Sequence, residues 1–359
     1  MTAKFKPHVL SLLAVPLLAA TAGMAAAATI GVVAPLSGPY ATLGAEVLEG
    51  ARAAAAKTGD RLVELNEPCE QGAGKAISDR LRAEGAVAAI GFLCVESLSE
   101  ALPELKQSGI AAISISVRSK ILMEDARRYD WPFFRMAPVD GDEAEKLSEI
   151  MLSQWQNRPI ALVEDGTIYG RELATAIRQK LEAGGIKPVF TDTFRPGQEQ
   201  QLALVRRLAK TGATHVFVGG DRNDIATIAR DAAADKVALT LIGGDALKAA
   251  NRPIPLPEGV LSVTLPDYAT LPEAQPVVAD FRARGVEPDG YALPAYAAVE
   301  IVQQAGGAGD KIIEQLTVRT FKTALGTIGF AADHELQANP LRLLEWRDSN
   351  FLEPRPQTD

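Results

Sequence analysis

The sequence predicts an α/β protein built as two Rossmann-like parallel-sheet lobes. Three observations predict it. Short apolar runs rich in Val, Ile and Ala alternate with longer stretches of helical spacing, the signature of strands buried on both faces and joined by helical crossovers. The alternation runs once from Thr29 to Ser116 and starts again after Phe133. The 359 residues also exceed what one hydrophobic core usually serves, so two domains are expected.

In the first unit Thr29 to Ala34 (TIGVVA) reads as a strand that ends in the turn Pro35-Leu36-Ser37-Gly38-Pro39. Leu43 to Lys57 is Ala-rich with helical spacing, and Arg61 to Asn66 reads as a strand. A helix is expected over Gly74 to Glu84, a buried strand over Ala86 to Phe92, a helix over Leu98 to Gln107 and a strand over Ile110 to Ser116. Phe133 to Ala137 opens the second unit, followed by a helix from Asp140 to Gln156. Strands are expected at Ile160 to Glu164, Ile186 to Thr191, His215 to Gly219 and Leu239 to Gly243, separated by helices at Tyr169 to Ala183, Gln200 to Lys210 and Asn223 to Ala234. The tail changes character, with a strand at Val260 to Leu265, helices near Val277 to Arg284, Pro294 to Gln304 and Val318 to Leu325, and a late strand at Arg342 to Trp346. No short-period repeat is visible, which argues against solenoids and propellers.

The amino terminus has the layout of a cleavable secretory signal over residues 1–28: Lys4 and Lys6, an apolar run from Val9 to Ala20, and small residues with A-x-A sites such as Ala26-Ala27-Ala28. The run is too short to span ~30 Å of hydrocarbon, and Pro16 interrupts it, so it is not read as an anchor. Cleavage after Ala28 would remove Lys4 and Lys6 and take the formal charge from −8 to −10. That balance argues against nucleic acid as a partner, because phosphate contacts need clustered Lys and Arg.

Cys69 and Cys94 remain. In an exported chain the default for such a pair is a disulfide, worth ~3 kcal/mol in the chain-entropy model; the alternative is two buried free thiols. With His215 and His334 far apart in sequence, no metal site is expected, and no cofactor. No G-x-S-x-G occurs, and the glycine pairs Gly219-Gly220, Gly243-Gly244 and Gly306-Gly307 lack the Lys and Ser/Thr of a phosphate cradle. No catalytic residues are therefore assigned, and the chain is not read as an enzyme.

In open parallel sheets ligands bind beyond the carboxyl ends of the strands. Those positions are Ser37 to Tyr40, Cys69, Val95 to Ser97 and Ser116 to Arg118 in the first unit, and Asp165 to Tyr169, Asp221 to Asn223 and Asp245 in the second. Several segments there carry a collinear pattern: Ile30 to Pro39, Ile90-Gly91-Phe92-Leu93-Cys94, Phe134-Arg135, Ile160 to Val163 with Tyr169-Gly170, Phe217-Val218-Gly219-Gly220 and Leu241-Ile242-Gly243. In this pattern the chain resembles the type I periplasmic binding proteins of the leucine/isoleucine/valine-binding group, over about Thr29 to Phe330.

The resemblance implies a type I periplasmic binding protein fold with a three-crossing hinge. One lobe would hold residues 29–136 and 266–330, the other residues 138–264 and 331–359, with crossings near Pro138, Leu265 and Gly329. It implies a monomer in the periplasm that passes a small-molecule ligand to an ABC transporter membrane permease. It also puts Cys69 and Cys94 in the family's disulfide positions.

The pocket departs from the family's. Val95 stands where a serine holds the ligand carboxylate, and Arg118 where a threonine shares that task; Ser116 falls in the loop that contributes backbone. The pocket tyrosine is kept at Tyr169, but a second falls at Asp221, and the glutamate that neutralises the ligand amine falls at Asp245. The expected ligand-binding set is Glu96, Ser116, Arg118, Tyr169, Asp221 and Asp245, which suits a polar or cationic ligand better than a branched aliphatic one. Asp221 and Asp245 could instead cap the helices that follow, Glu96 could be a solvated charge, and Arg118 could simply fill the site. The shortened chain and altered pocket look like a branch associated with pyrroloquinoline-quinone-dependent alcohol dehydrogenase systems. The alternative to a transporter subunit is then a sensor or accessory ligand-binding protein of such a system.

Overall fold

The computed structural model describes Met1 and residues 27–249, 253–306 and 308–355. The secretory-signal expectation falls almost entirely on residues 2–26, outside the described residues. No helix among the described residues is long and apolar enough to cross a membrane.

The first sheet is built from β1 (Thr29–Ala34), β2 (Arg61–Asn66), β3 (Ala88–Gly91), β4 (Ala111–Ser114) and β5 (Phe133–Arg135), in the order β2-β1-β3-β4-β5 and parallel throughout. Its crossovers are α1 (Ala41–Thr58), α2 (Gly74–Ala83), α3 (Val95–Ser108) and α4 (Lys120–Tyr129). Helix α4 is a fourth crossover that the apolar pattern did not reveal; Ser119 caps it, accepting from the Leu122 amide at 3.2 Å.

The second sheet has the order β14-β13-β10-β9-β8-β6-β7. After α5 (Asp142–Gln154) come β6 (Ile160–Glu164), α6 (Ile168–Ala183), β7 (Phe190–Thr193), α7 (Leu202–Thr211), β8 (His215–Gly219), α8 (Arg222–Ala234), β9 (Thr240–Gly243) and β10 (Leu261–Thr264). These strands pair in parallel, whereas the late β13 (Arg342–Arg347) and β14 (Asn350–Leu352) add an antiparallel edge. Between them α9 (Gln275–Ala283), α10 (Ala292–Ala305) and α11 (Asp310–Val318) return to pack on the first sheet, where Val278, Phe281, Ala295, Val299 and Ile312 join Ile30, Val32 and Ile90 in one core. Each sheet thus carries apolar clusters on both faces, as its parallel strands require.

Two elements differ from expectation. The strand expected at Ile186 to Thr191 begins later, at Phe190, because Pro188 has no N–H to donate; the ladder starts with the Val189 amide on the Ile160 carbonyl at 2.8 Å. The helix expected at Val318 to Leu325 is instead β11 (Thr320–Thr323), a hairpin with β12 (Gly326–Gly329). Val318, Phe321 and Leu325 mimic helical spacing. The β-branched Thr320 and Thr323 and the exposed–buried alternation from Thr320 to Thr323 favour a strand. The preceding helix buries Ile312 and Leu316, four residues apart.

The expected disulfide joins Cys69 to Cys94, with Cα atoms 5.3 Å apart. It ties the loop after β2 to the start of α3. Helices α1 and α10 approach closely through Gly50, where an added Cβ would lie 1.9 Å from the Ala292 carbonyl oxygen. That atom is backbone and cannot swing aside. Gly50→Ala is therefore expected to cost about 2 kcal/mol net, the upper end of overpacking less the ~1 kcal/mol gained in helix propensity, read as a lower urea midpoint at unchanged slope.

Candidate functional site

The loop after β4 is held from below. Ser114, fully buried, donates to the Phe92 carbonyl at 2.9 Å and accepts from the Val117 amide at 3.0 Å and the Ser116 amide at 3.3 Å. This fixes the backbone from which Ser116 and Arg118 project. The Ser116 hydroxyl lies 2.9 Å from the Tyr291 hydroxyl, at the start of α10.

Arg118 reaches across to the second sheet. Its guanidinium lies 3.6 Å from one oxygen of Asp245, which opens the 3₁₀ turn Asp245–Lys248 after β9. The other Asp245 oxygen accepts the Thr264 hydroxyl. The Asp245 amide donates to Oε1 of Glu143 at 2.6 Å, and the Tyr169 hydroxyl donates to the same oxygen at 2.7 Å. Gly244 makes this possible, since a Cβ there would sit 1.8 Å from Glu143 Oε1 and 2.6 Å from the Tyr169 oxygen. Burial raises the Glu143 carboxyl above the usual carboxylate range. Burial first, and the Glu143 charge second, push the Tyr169 phenol further up, so it remains a neutral donor.

Ser116 and Arg118 line a cavity of about 680 Å³, within the range of small-molecule sites. Its walls come from the carboxyl ends of both sheets and from the tail: Arg222, Tyr268, Tyr291, Trp346 and Phe351 face it. Glu96, Tyr169, Asp221 and Asp245 are not among its lining residues. Asp221 is the N-cap of α8, accepting the Asp224 amide at 2.9 Å. Glu96 is exposed in the first turn of α3. The three carboxylates therefore do not converge as one acidic wall.

Glu143 and the aromatic residues of the tail were not in the expected set. Glu143 lies in the first turn of α5, a helix N-terminus rather than a strand end. The aromatics belong to segments whose path back to the cleft no local pattern shows. Glu67, Cys69 and Cys94 bring ligand atoms within 4.8 Å of one another, but both sulfurs belong to the disulfide, which removes them as metal donors.

A family model of periplasmic binding proteins matches residues 27–350. The chain belongs to the periplasmic binding protein family. It is 25% identical to Leu/Ile/Val-binding protein homolog 3 of Brucella melitensis, over 96% of this chain and 99% of that protein. It is 26% identical to the Leu/Ile/Val/Thr-binding protein of Salmonella typhimurium, over 88% of this chain and 90% of that protein. In fold it is similar to a branched-chain amino acid ABC transporter protein from Rhodospirillum rubrum, with a TM-score of 0.75 and 19% identity over 91% of this chain and all of that one. The chain is accordingly a periplasmic solute-binding protein of the leucine/isoleucine/valine-binding type. Its relatives bind substrates and are not enzymes.

Proposed function

We propose that this solute-binding protein is the capture component of an ABC-type transporter, taking a small polar ligand into its interlobe cleft and presenting it, as a monomer, to a membrane permease. Export by a cleavable signal over residues 1–28 is part of this reading. So is closure of two lobes, residues 29–136 with 266–330 and residues 138–264 with 331–359, about crossings near Pro138, Leu265 and Gly329. The observation that carries it is the Arg118–Asp245 pair, which spans from the first sheet's carboxyl edge to the second's beside a cavity of about 680 Å³.

The pocket is not that of a branched-chain amino acid binder. Val95 has no hydroxyl for a carboxylate, and Asp245 already serves Thr264 and Arg118. Ser116 and Arg118 would contact the ligand directly. Tyr169 and Asp245, joined through Glu143, would form the facing wall once the cleft closes. Asp221 and Glu96 would act at its rim.

Thermal unfolding against a panel of branched-chain amino acids, short amides, organic acids, polyamines and pyrroloquinoline quinone tests the reading. A ligand present at a thousand times its dissociation constant stabilises by about 4 kcal/mol, a shift of several degrees. Arg118→Ala, at a half-exposed side chain, is expected to abolish that shift while leaving the unliganded midpoint in place. A shift with leucine or valine that survives Arg118→Ala would overturn the pocket assignment.

A further inference from the structure

We infer that the ligand class of this cavity is the aromatic carboxylates, with the ring packed against Tyr268, Tyr291, Trp346 and Phe351 and the carboxylate held by Arg118. The inference rests on the reading of the cleft as a ligand site and narrows its chemistry.

The acidic groups are committed to the protein itself. Asp245 holds the Thr264 hydroxyl and faces Arg118, Glu143 accepts from Tyr169 and the Asp245 amide, and Asp221 caps α8. The two carboxylates that do line the cavity, Asp267 and Asp289, each accept a backbone amide through Oδ1, from Ala269 at 3.0 Å and from Gly290 at 2.8 Å. An α-ammonium would meet carboxylates that each already accept a bond from the protein, and would have to share them.

The cationic groups are disposed differently. Arg118 makes no hydrogen bond among the described residues; its one ion pair is long, at 3.6 Å, and its side chain is 47% exposed. Its planar fork is therefore available to a bidentate carboxylate. Arg222 and Lys248 add positive charge to the same lining. The Lys248 ammonium donates to the Leu265 carbonyl at 3.0 Å, and the Arg222 guanidinium lies 4.2 Å from the Trp346 ring centre.

The apolar lining is aromatic to a degree unusual for a chain with 6% aromatic residues. Trp346 and Phe351 meet edge to face at 5.1 Å on neighbouring strands of the β13–β14 hairpin, and Tyr291 is oriented by its bond to Ser116. Aromatic rings prefer such offset and edge-on partners, and they offer a flat ligand more matching contact than a branched aliphatic side chain would find.

The test is titration of the purified protein, followed by calorimetry and tryptophan fluorescence, with benzoate, 4-hydroxybenzoate and phenylacetate. Benzamide, leucine and putrescine serve as contrasts. At least one aromatic acid is expected to bind saturably, with benzamide at least ten-fold weaker. Arg118→Ala should weaken the acid at least ten-fold, and Asp245→Asn should tighten it, because the aspartate competes with the ligand for Arg118. Unliganded unfolding midpoints verify that both variants fold. Loss of binding in Asp245→Asn, or failure of all three acids, overturns the inference. Binding of leucine or putrescine with the acids inert would overturn it while leaving the solute-binding reading intact. If no compound of this or the wider thermal panel binds, the capture function itself fails.

Discussion

Glu335→Ala is expected to destabilise the protein by about 3 kcal/mol, among the largest effects of any single polar substitution. Its partner, Arg135, ends β5 with a side chain that is 1% exposed. The guanidinium donates to Glu335 through Nε at 2.7 Å and again through Nη2, and to the Ser119 carbonyl at 2.9 Å. Removing the carboxylate leaves a buried cation without its counter-charge, which typically costs ~3–5 kcal/mol. Glu335 itself remains 20% exposed, so water can enter from that side, and the lower end of the range is expected. Arg135→Met combined with Glu335→Leu removes both charges and should recover most of the loss. Urea denaturation of the single and double variants measures this, and a cost below about 1 kcal/mol for the single variant would show that water solvates Arg135 fully.

The location of this pair gives it meaning beyond stability. Arg135 lies where the chain leaves the first sheet, and Glu335 where it returns to the second after β12. The Arg135 amide donates to the His334 carbonyl at 3.1 Å, and the His334 ring stacks on Phe134 at 4.2 Å. Two of the connecting segments are therefore bound to each other by charge, backbone and ring contacts. In the proposed two-lobe closure, the lobes would turn about this junction.

The two lobes were legible because parallel strands are buried on both faces, so Ala88–Gly91 and Ala111–Ser114 stand out as unbroken small and apolar runs. Ser116 and Arg118 were legible for a related reason, since they directly follow such a run. The acidic wall was not. Whether Asp221 faces a ligand or its own helix depends on one rotamer, and here it caps α8. Glu143 takes two bonds that no spacing rule anticipates, because its partners lie 26 and 102 residues away. The aromatic lining depends on where the tail returns. Trp346 pairs with Phe351 across β13 and β14, and only the packed fold brings that hairpin to the cavity. Local pattern thus reveals the sheets and the loops at their ends, while the chemistry between the lobes is set by long-range closure.

Glu67 should give the protein a pH-dependent stability that can be assigned to one residue. It follows β2, is completely buried, and accepts the Leu93 amide at 2.8 Å and the Cys94 amide at 3.2 Å beside the disulfide. Burial pushes its carboxyl up to about 7, against the opposing pull of those two amides, with Glu96 adding repulsion. The unfolded carboxyl titrates near 4.5. Between those values the folded state binds more protons than the unfolded one, so stability falls as pH rises through the window and levels off above it. The full excursion is about 3 kcal/mol. Glu67→Gln keeps one acceptor oxygen and cannot ionise, so any packing or hydrogen-bond cost it carries is the same at every pH. Its stability relative to the native protein should therefore improve by about 3 kcal/mol between pH 4.5 and pH 8, measured by denaturant unfolding at each pH. A difference that stays flat would mean that the amides of Leu93 and Cys94 hold Glu67 ionised despite its burial. The turn that opens α3 beside the cleft would then be an anion-stabilised loop, and not one that loosens as its carboxyl ionises.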